Sequence, residues 1–251
     1  MPPDALAALL DLPGVRDAAE GSRVAVDRLL AHRALRRSSA AVSAESALRG
    51  ARASAALDGV DVPLADVRAG VVADPVVQGA LRVSAELGRL AGTWVRAPLQ
   101  VLARLHVLAA ADLLPEAELG RPVAGVEIAV RLDGLAGLVT AQSAGPSAGP
   151  AVLLAAVVHG ELRALAPFRA GSGVVARAAA RLTTISRGLD PKALAVPEVG
   201  HMELKGEYDE TLAGYLTGEP DGVAAWLRHC CAAAELGARE GLAICEAVLR
   251  G

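Results

Sequence analysis

Apolar residues recur at helical spacing along most of the chain. Leucine-rich periodicity covers residues 4–12 and 24–35, on either side of the turn-forming pair Pro13-Gly14, and predicts two helices. Residues 43–57 are alanine-rich and lead into a turn signal, so a third helix should end near Gly59. The first part of the chain is therefore predicted to be helical throughout.

Prolines divide the middle of the chain into further helical segments. Pro98 opens a strongly apolar helix over residues 99–113, and Pro115 ends it. Residues 126–132 alternate apolar and polar positions as a strand does, but over a longer window the apolar positions fit the helical period. The prediction is a helix from Glu127 onward.

Two apolar segments, 152–165 and 174–185, predict helices joined by a tight loop over 166–173. Residues 143–150 are Ser, Ala, Gly and Pro, which predicts another loop, but the helical pattern is the same on both sides of it. We predict an all-α bundle with a helix-loop-helix core. An N-terminal helical extension, 1–42, and a helical domain, 43–251, should pack as one compact unit.

Composition supports the all-α prediction. The 251 residues are 53% apolar but only 2% aromatic, so Ala, Val and Leu must fill the core, which favours closely packed helices. A net charge of −3 gives no general attraction to nucleic acid or to an anionic membrane. No apolar stretch is long enough to span a bilayer, and the acidic N-terminus does not resemble a signal peptide, which predicts a cytoplasmic protein.

Side chains with metal-binding or nucleic-acid-binding chemistry are scattered. Cys230, Cys231 and Cys245 form no Cys-x-x-Cys pair and have no clustered histidines beside them, which predicts reduced, buried thiols and no metal site. A basic run on a predicted helix could bind an acidic partner, but it lacks the interleaved aromatic residues that favour nucleic acid. The run consists of Arg28, His32, Arg33, Arg36 and Arg37.

Residues 166–177 read Ala-Pro-Phe-Arg-Ala-Gly-Ser-Gly-Val-Val-Ala-Arg. This stretch resembles the active-site loop of the Fic-domain nucleotidyl transferases, His-Pro-Phe-x-Asp/Glu-Gly-Asn-Gly-Arg-x-x-Arg. The residues that match are Pro167, Phe168, Gly171, Gly173 and Arg177. The residues that depart are Ala166 at the histidine, Ala170 at the acid, Ser172 at the asparagine and Val174 at the first arginine.

Weaker matches to the family lie outside the loop. They include His159, seven positions before Ala166, the segments 102–106 and 119–122, and the tryptophan-containing stretch 226–233. Upstream, Ser54-Ala-Ala-Leu-Asp58-Gly59 resembles the family's inhibitory helix, Ser/Thr-x-x-x-Glu-Gly, with aspartate for glutamate. The resemblance implies that Asp58 pairs with Arg177 and blocks the nucleotide's γ-phosphate. His159, on an apolar helix, is interpreted as a core histidine bonded to a backbone carbonyl.

The resemblance implies a Fic-like fold over 43–251 with the catalytic groups missing. The family histidine is a general base, the acid holds magnesium and the first arginine balances phosphate charge; Ala166, Ala170 and Val174 can do none of these. The residues that could still bind phosphate are Gly171, Ser172, Gly173 and Arg177. We expect no required cofactor and at most weak ATP or phosphate binding. The flap that docks targets in the family should lie between residues 115 and 127, where there is little room for a hairpin.

Three functions remain open at this level. The first is a non-catalytic binding or regulatory protein that lacks AMP-transferase activity and acts through an unidentified protein partner or as a homodimer. The second is a divergent nucleotide-dependent transferase in which Ser172, Arg177 and His159 have taken new roles. The third is an interaction module that uses the basic N-terminal helix.

Overall fold

The computed structural model describes residues 5–143 and 150–250, and within these ranges its regular structure is helical, without strands. The all-α prediction is confirmed. The α-helices are α1 (Ala5–Leu9), α2 (Val15–Leu30), α3 (Leu35–Leu57), α4 (Leu64–Ala69), α5 (Pro75–Trp94), α6 (Pro98–Ala110), α7 (Val126–Ser143), α8 (Ala151–Leu165), α9 (Ser172–Ser186), α10 (Pro197–Glu203), α11 (Lys205–Leu216) and α12 (Pro220–Arg250).

Local sequence signals account for several helix boundaries. The Asp74 carboxylate accepts hydrogen bonds from the backbone amides of Val76 and Val77, and so caps α5 where Pro75 begins it. α6 begins at Pro98, within one residue of the prediction, and ends at Ala110, three residues early. α7 confirms the helical interpretation of the alternating segment.

The second helix lies earlier in the chain than the leucine pattern predicts. α2 begins at Val15 and ends at Leu30, whereas the prediction ran from residue 24 to 35. Its first turns bury Ala19 and Ser22. These small residues carry little hydrophobic signal, so the periodicity missed the buried face that they continue.

The third helix extends beyond the predicted start at residue 43. α3 starts at Leu35, bends at Ser38 (φ −124°) and continues to Leu57. Leu35 and Val42 are buried, so packing holds this part of the helix in place. The proposed boundary between residues 42 and 43 falls inside α3, where secondary structure is unbroken.

The basic run does not lie on one helix, and that part of the prediction was wrong. Arg28 lies in the last turn of α2, and α3 begins only at Leu35, so the turn over residues 31–34 divides the charged residues. His32 Nε2 lies 2.8 Å from a carboxylate oxygen of Glu246 on α12. The run therefore presents no continuous basic helical face.

Two tryptophans mark the main parts of the core. Trp94, at the end of α5, packs with residues of α6, α8 and α9, and its Nε1 donates to Thr183 Oγ1 at 3.1 Å. Trp226, on α12, packs against α8 and α11, and its Nε1 donates to the carbonyl oxygen of Ala156 at 2.9 Å. Both indoles are fully buried with their N–H groups paired, as buried tryptophan requires. They position α8 and α9 from both sides.

Small residues let the helices approach closely where aromatic residues are scarce. A Cβ on Gly79 of α5 would overlap the Ala109 carbonyl of α6. Gly200 of α10 stands in the same relation to Ala233 of α12. These contacts confirm the expectation that an aromatic-poor core is built by close helix packing.

The predicted loop over 143–150 falls largely on residues outside the described ranges. Of the helices in the described ranges, none combines the length and the apolar character needed to cross a bilayer.

Candidate functional site

The helix-loop-helix unit predicted from the sequence is present. α8 ends at Leu165, and α9 begins at Ser172, two residues earlier than predicted. The loop starts at Ala166 and ends at Gly171, and both are left-handed, with φ of 40° and 69°. A left-handed alanine costs roughly 1 kcal/mol or more, so the surrounding structure must hold Ala166 in place. This strained position is the one that aligns with the family histidine.

Ser172 stabilises the loop from within. Its Oγ donates to the carbonyl oxygen of Phe168 at 2.9 Å and accepts from the Phe168 amide at 3.1 Å. The hydroxyl therefore bonds the loop's own backbone, and a phosphate would have to compete with these two bonds.

Phe168 anchors the loop to α6, as expected for an aromatic residue under a turn. Its ring is buried and stacks on His106 with centroids 4.1 Å apart and an interplanar angle of 9°. His106 Nδ1 in turn accepts from the Gly120 amide at 2.9 Å. Burial lowers the pKa of His106, and a hydrogen bond from the ring to the Ala170 backbone raises it by less, so the neutral form is favoured. The loop, α6 and residues 119–122 therefore form one braced unit.

The segment between α6 and α7 lies against the loop. It contains a 3₁₀ helix, Glu116–Glu118, and no strand among its described residues. The Val123 amide donates to the carbonyl oxygen of Pro167 at 2.8 Å, and Arg169 lies 3.4 Å from a carboxylate oxygen of Glu118. The segment expected to be too short for a hairpin forms an irregular cover over the loop.

Asp58 and Arg177 form the ion pair that the resemblance implies. Arg177 Nη2 lies 2.8 Å from Asp58 Oδ1, although aspartate is one methylene shorter than the family glutamate. Ser54 completes the contact, because its Oγ accepts from Arg177 Nε and its carbonyl oxygen accepts from Nη2, each at 2.8 Å. Burial lowers the pKa of Arg177, but Tyr208 and Asp58 raise it by more, so the guanidinium stays charged.

The Asp58 carboxylate lies at the first turn of α9, where the sequence predicts a phosphate site. A Cβ on Gly173 would overlap both carboxylate oxygens, so glycine is required there to admit Asp58. A helix N-terminus attracts anions through its free amides and its dipole, and the nearest anion here is the chain's own carboxylate. Arg177 is the buried cation of the loop motif. Its guanidinium forms an ion pair with that carboxylate.

The positions that align with the catalytic groups of the family motif carry no reactive side chain. Ala166 is exposed at the end of α8, and Ala170 lies in the loop. Val174 is 3% exposed and packs in the core cluster with Phe168. The first turn of α9 therefore faces an apolar interior at the position where the family carries an arginine.

A second polar cluster lies about two helical turns before the loop, and sequence reasoning missed it. His159 Nε2 lies 2.8 Å from the Tyr208 hydroxyl oxygen, and His201 Nδ1 lies 3.0 Å from His229 Nε2. His159 was expected to bond a backbone carbonyl, but its Nε2 contacts the side chain of Tyr208 instead. The interpretation of His159 as a core histidine is confirmed, since it is 1% exposed.

The cluster also changes the interpretation of the cysteines. All three are unpaired and buried, as predicted. However, Cys230 lies with His159 and His201, and the ligand atoms of the three residues are within 4.8 Å of one another. They come from α12, α8 and α10, so no sequence spacing could have indicated that they meet.

Solved structures of Fic proteins share this arrangement of helices. Fic-1 of C. elegans superposes with a TM-score of 0.71 at 17% identity, over 93% of this chain and 73% of that one. A Fic family protein of Desulfovibrio desulfuricans gives 0.70 at 18% identity, over 92% and 74%. A second structure of C. elegans Fic-1, of a single-residue variant, gives 0.66 at 17% identity, over 91% and 72%. No family model and no curated protein matches the sequence.

At this level of identity the similarity is one of fold. The chain is an all-α protein with the Fic-like fold, and it covers most of the length of the structures that it matches. The fold implied by a twelve-residue loop is thereby confirmed over more than nine-tenths of the chain.

Proposed function

We propose that this protein is a cytoplasmic, non-catalytic binding or regulatory protein built on the Fic-like fold, without AMP-transferase activity. One observation carries the proposal. Ala166, Ala170 and Val174 stand where the family motif has its reactive groups, and the Asp58 carboxylate lies beside Gly173, where the resemblance implies a bound phosphate. Buried, unpaired cysteines suit the reducing cytoplasm.

The missing groups would each have a separate task in transfer of a nucleotidyl group. Loss of a general base alone lowers a rate by ~10²–10⁴, and loss of a charge-stabilising group by a further ~10²–10³. No side chain in the loop replaces them. Ser172 is bonded to Phe168, and the charge of Arg177 is balanced by Asp58. A divergent transferase would have to use groups that already have partners.

The same contacts limit nucleotide binding. A phosphate at the start of α9 would meet the Asp58 carboxylate, and like charges repel. We therefore expect at most weak, magnesium-independent binding of ATP or phosphate, and no required cofactor. The partner that such a protein would regulate is an unidentified protein, or a second copy of this chain.

Labelling with an adenylyl analogue tests the proposal. The wild-type chain should label neither itself nor lysate proteins. A restored variant with Ala166→His, Ala170→Asp, Ser172→Asn, Val174→Arg and Asp58→Gly should label itself at least weakly, because catalysis depends chiefly on groups held in position. The matched control retains Ala166 and carries the other four changes; it should stay silent.

The outcomes separate the alternatives. Strong labelling by the wild type that is lost with Ser172→Ala would overturn the proposal and favour a divergent transferase. A folded restored variant that stays silent would show that the pocket differs from the family's in more than these side chains.

Ligand-induced stabilisation gives a second test. A ligand that binds only the native state raises the melting temperature by mass action. We expect ATP to shift the wild type little, with or without magnesium, and to shift Asp58→Gly more, because the competing carboxylate is gone. A strong magnesium-dependent shift of the wild type would contradict the expectation set by Ala170.

A further inference from the structure

Three metal-binding side chains meet in the interior, each from a different helix. His159 lies on α8, His201 on α10 and Cys230 on α12, and they are 1%, 5% and 7% exposed. Their ligand atoms lie within 4.8 Å of one another. Imidazole nitrogen and thiolate sulfur together are a donor set that favours zinc among the common divalent ions.

The three ligand atoms are nearly close enough together to coordinate one ion. Zinc lies about 2.0–2.1 Å from imidazole nitrogen and about 2.3 Å from thiolate sulfur, so tetrahedral ligands are separated by roughly 3.5 Å. The observed separations, up to 4.8 Å, therefore need to close by at most about 1.3 Å, which is within the reach of side-chain rotation.

Each histidine has a polar neighbour of the kind that surrounds metal ligands. An imidazole that binds an ion through one nitrogen uses its other nitrogen in a hydrogen bond, which fixes its tautomer and orientation. His159 has the Tyr208 hydroxyl for this purpose, at 2.8 Å, and His201 has His229, at 3.0 Å. Tyr208 and His229 therefore leave the second nitrogen of each imidazole to face an ion.

A cavity of about 50 Å³ adjoins the three residues. A water molecule needs about 10–15 Å³ by the same measure, so the space admits an ion and a water as its fourth ligand. Arg177 and Arg181 also line the cavity, but each has a carboxylate to balance it: Asp58 at 2.8 Å and Glu198 at 3.6 Å. The wall of the cavity is thus close to neutral.

We propose that His159, His201 and Cys230 bind one zinc ion that ties α8, α10 and α12 together, with water in the fourth position. On binding, Cys230 loses its thiol proton to solvent and coordinates as the thiolate. The site is separate from the loop, so it does not depend on the proposed function.

Metal content and a cobalt spectrum test the proposal on the full-length chain. Because the site is buried, the metal must be present while the protein folds, during expression or refolding. We expect about one zinc per chain after surface-bound metal is removed with a mild chelator. Protein made in cobalt medium should show thiolate-to-cobalt charge-transfer absorption, and X-ray absorption should report one sulfur and two imidazole ligands. Folded wild-type protein with no such metal and no such band would overturn the proposal.

Two cysteine variants locate the sulfur ligand. Cys230→Ser should abolish the charge-transfer band, whereas a change at its buried neighbour, Cys231→Ser, should retain it. A band that survives in Cys230→Ser would overturn the assignment. If Cys230→Ser fails to fold, the wild-type ligand count from X-ray absorption still decides the question.

A third variant tests the positioning role of Tyr208. Tyr208→Phe removes the hydroxyl that holds His159 but keeps the ring. We expect zinc affinity to fall about 10–100-fold while the band's position stays unchanged. Unchanged zinc affinity would show that the Tyr208 hydroxyl does not position His159 for the metal.

Discussion

The loop between α8 and α9 and the buried cluster around His159 use the same pair of helices in different ways. At the loop, alanine and valine stand at the positions where the fold would place reactive groups, and Ser172 bonds the loop's own backbone. In the cluster, His159 and His201 have side-chain partners at 2.8 and 3.0 Å. The paired polar side chains are therefore concentrated in the buried cluster, and the loop that carries the family resemblance has few of them.

Arg177 connects the two regions. On one side it pairs with Asp58 at the start of α9, and on the other it lies close enough to His159 and His201 to lower their pKa values, after burial itself. The loop can therefore be constrained without a reactive side chain at these positions, because Arg177 is part of the interior. Retention of Arg177 says more about packing and charge balance than about nucleotide binding.

Removal of Arg177 should cause the largest loss of stability, because this residue pairs with Asp58 at the start of α9 and lies close to the buried cluster. Arg177→Ala should lower the free energy of unfolding by about 3 kcal/mol, because it leaves Asp58 and Ser54 without their partner and a space in the core. Urea unfolding measures the loss.

The cycle with Asp58→Ala separates the ion pair from the packing. The double variant should recover part of the Arg177→Ala loss, since no carboxylate is then left unpaired. Strictly additive losses would mean that the two residues contribute independently, and the inhibitory-helix resemblance would lose its structural support.

The pH dependence of stability tests the contact between His106 and the loop residue Phe168. His106 is buried beneath Phe168, and its pKa is lowered below 6.5 by burial. Above pH 6.5 the imidazole is neutral in both folded and unfolded chains, so it has no effect. As the pH falls below 6.5 the unfolded chain binds the proton first, and stability should fall by up to about 1.4 kcal/mol per pH unit from this group.

A matched variant isolates the contribution of His106. In His106→Asn an amide oxygen can replace Nδ1 as the acceptor for Gly120, but nothing titrates there. Urea unfolding between pH 7.5 and 5 should show a shallower loss for the variant, while the other histidines contribute equally to both proteins. Parallel curves would mean that His106 titrates alike in both states.

Much of the fold follows from local signals. The helical periods, the proline start of α6 and the loop motif together predict the helix-loop-helix core. Prediction failed at the start of α2, where the buried face includes the small residues Ala19 and Ser22, and at the start of α3, which continues through a bend at Ser38. Periodicity detects large apolar side chains and is weak for a face whose burial depends on what packs against it.

The candidate site divides in the same way. The Asp58–Arg177 pair could be anticipated because it belongs to a motif. The cluster of His159, His201 and Cys230 could not, because three helices distant in sequence bring it together. Only tertiary packing places residues of this kind side by side, and one sequence carries no signal for that.

The smallest expected effect tests whether the loop keeps its left-handed start. Ala166 has φ 40° and an exposed side chain, so Ala166→Gly should relieve backbone strain without loss of packing. The gain in unfolding free energy should be about 0.5–1 kcal/mol, after the greater freedom of glycine in the unfolded chain is subtracted. Ala164→Gly, two residues earlier within α8, is the matched control and should cost about 1 kcal/mol. If both changes lower the urea midpoint, Ala166 is not left-handed in solution, and the loop does not hold the frame on which the comparison rests.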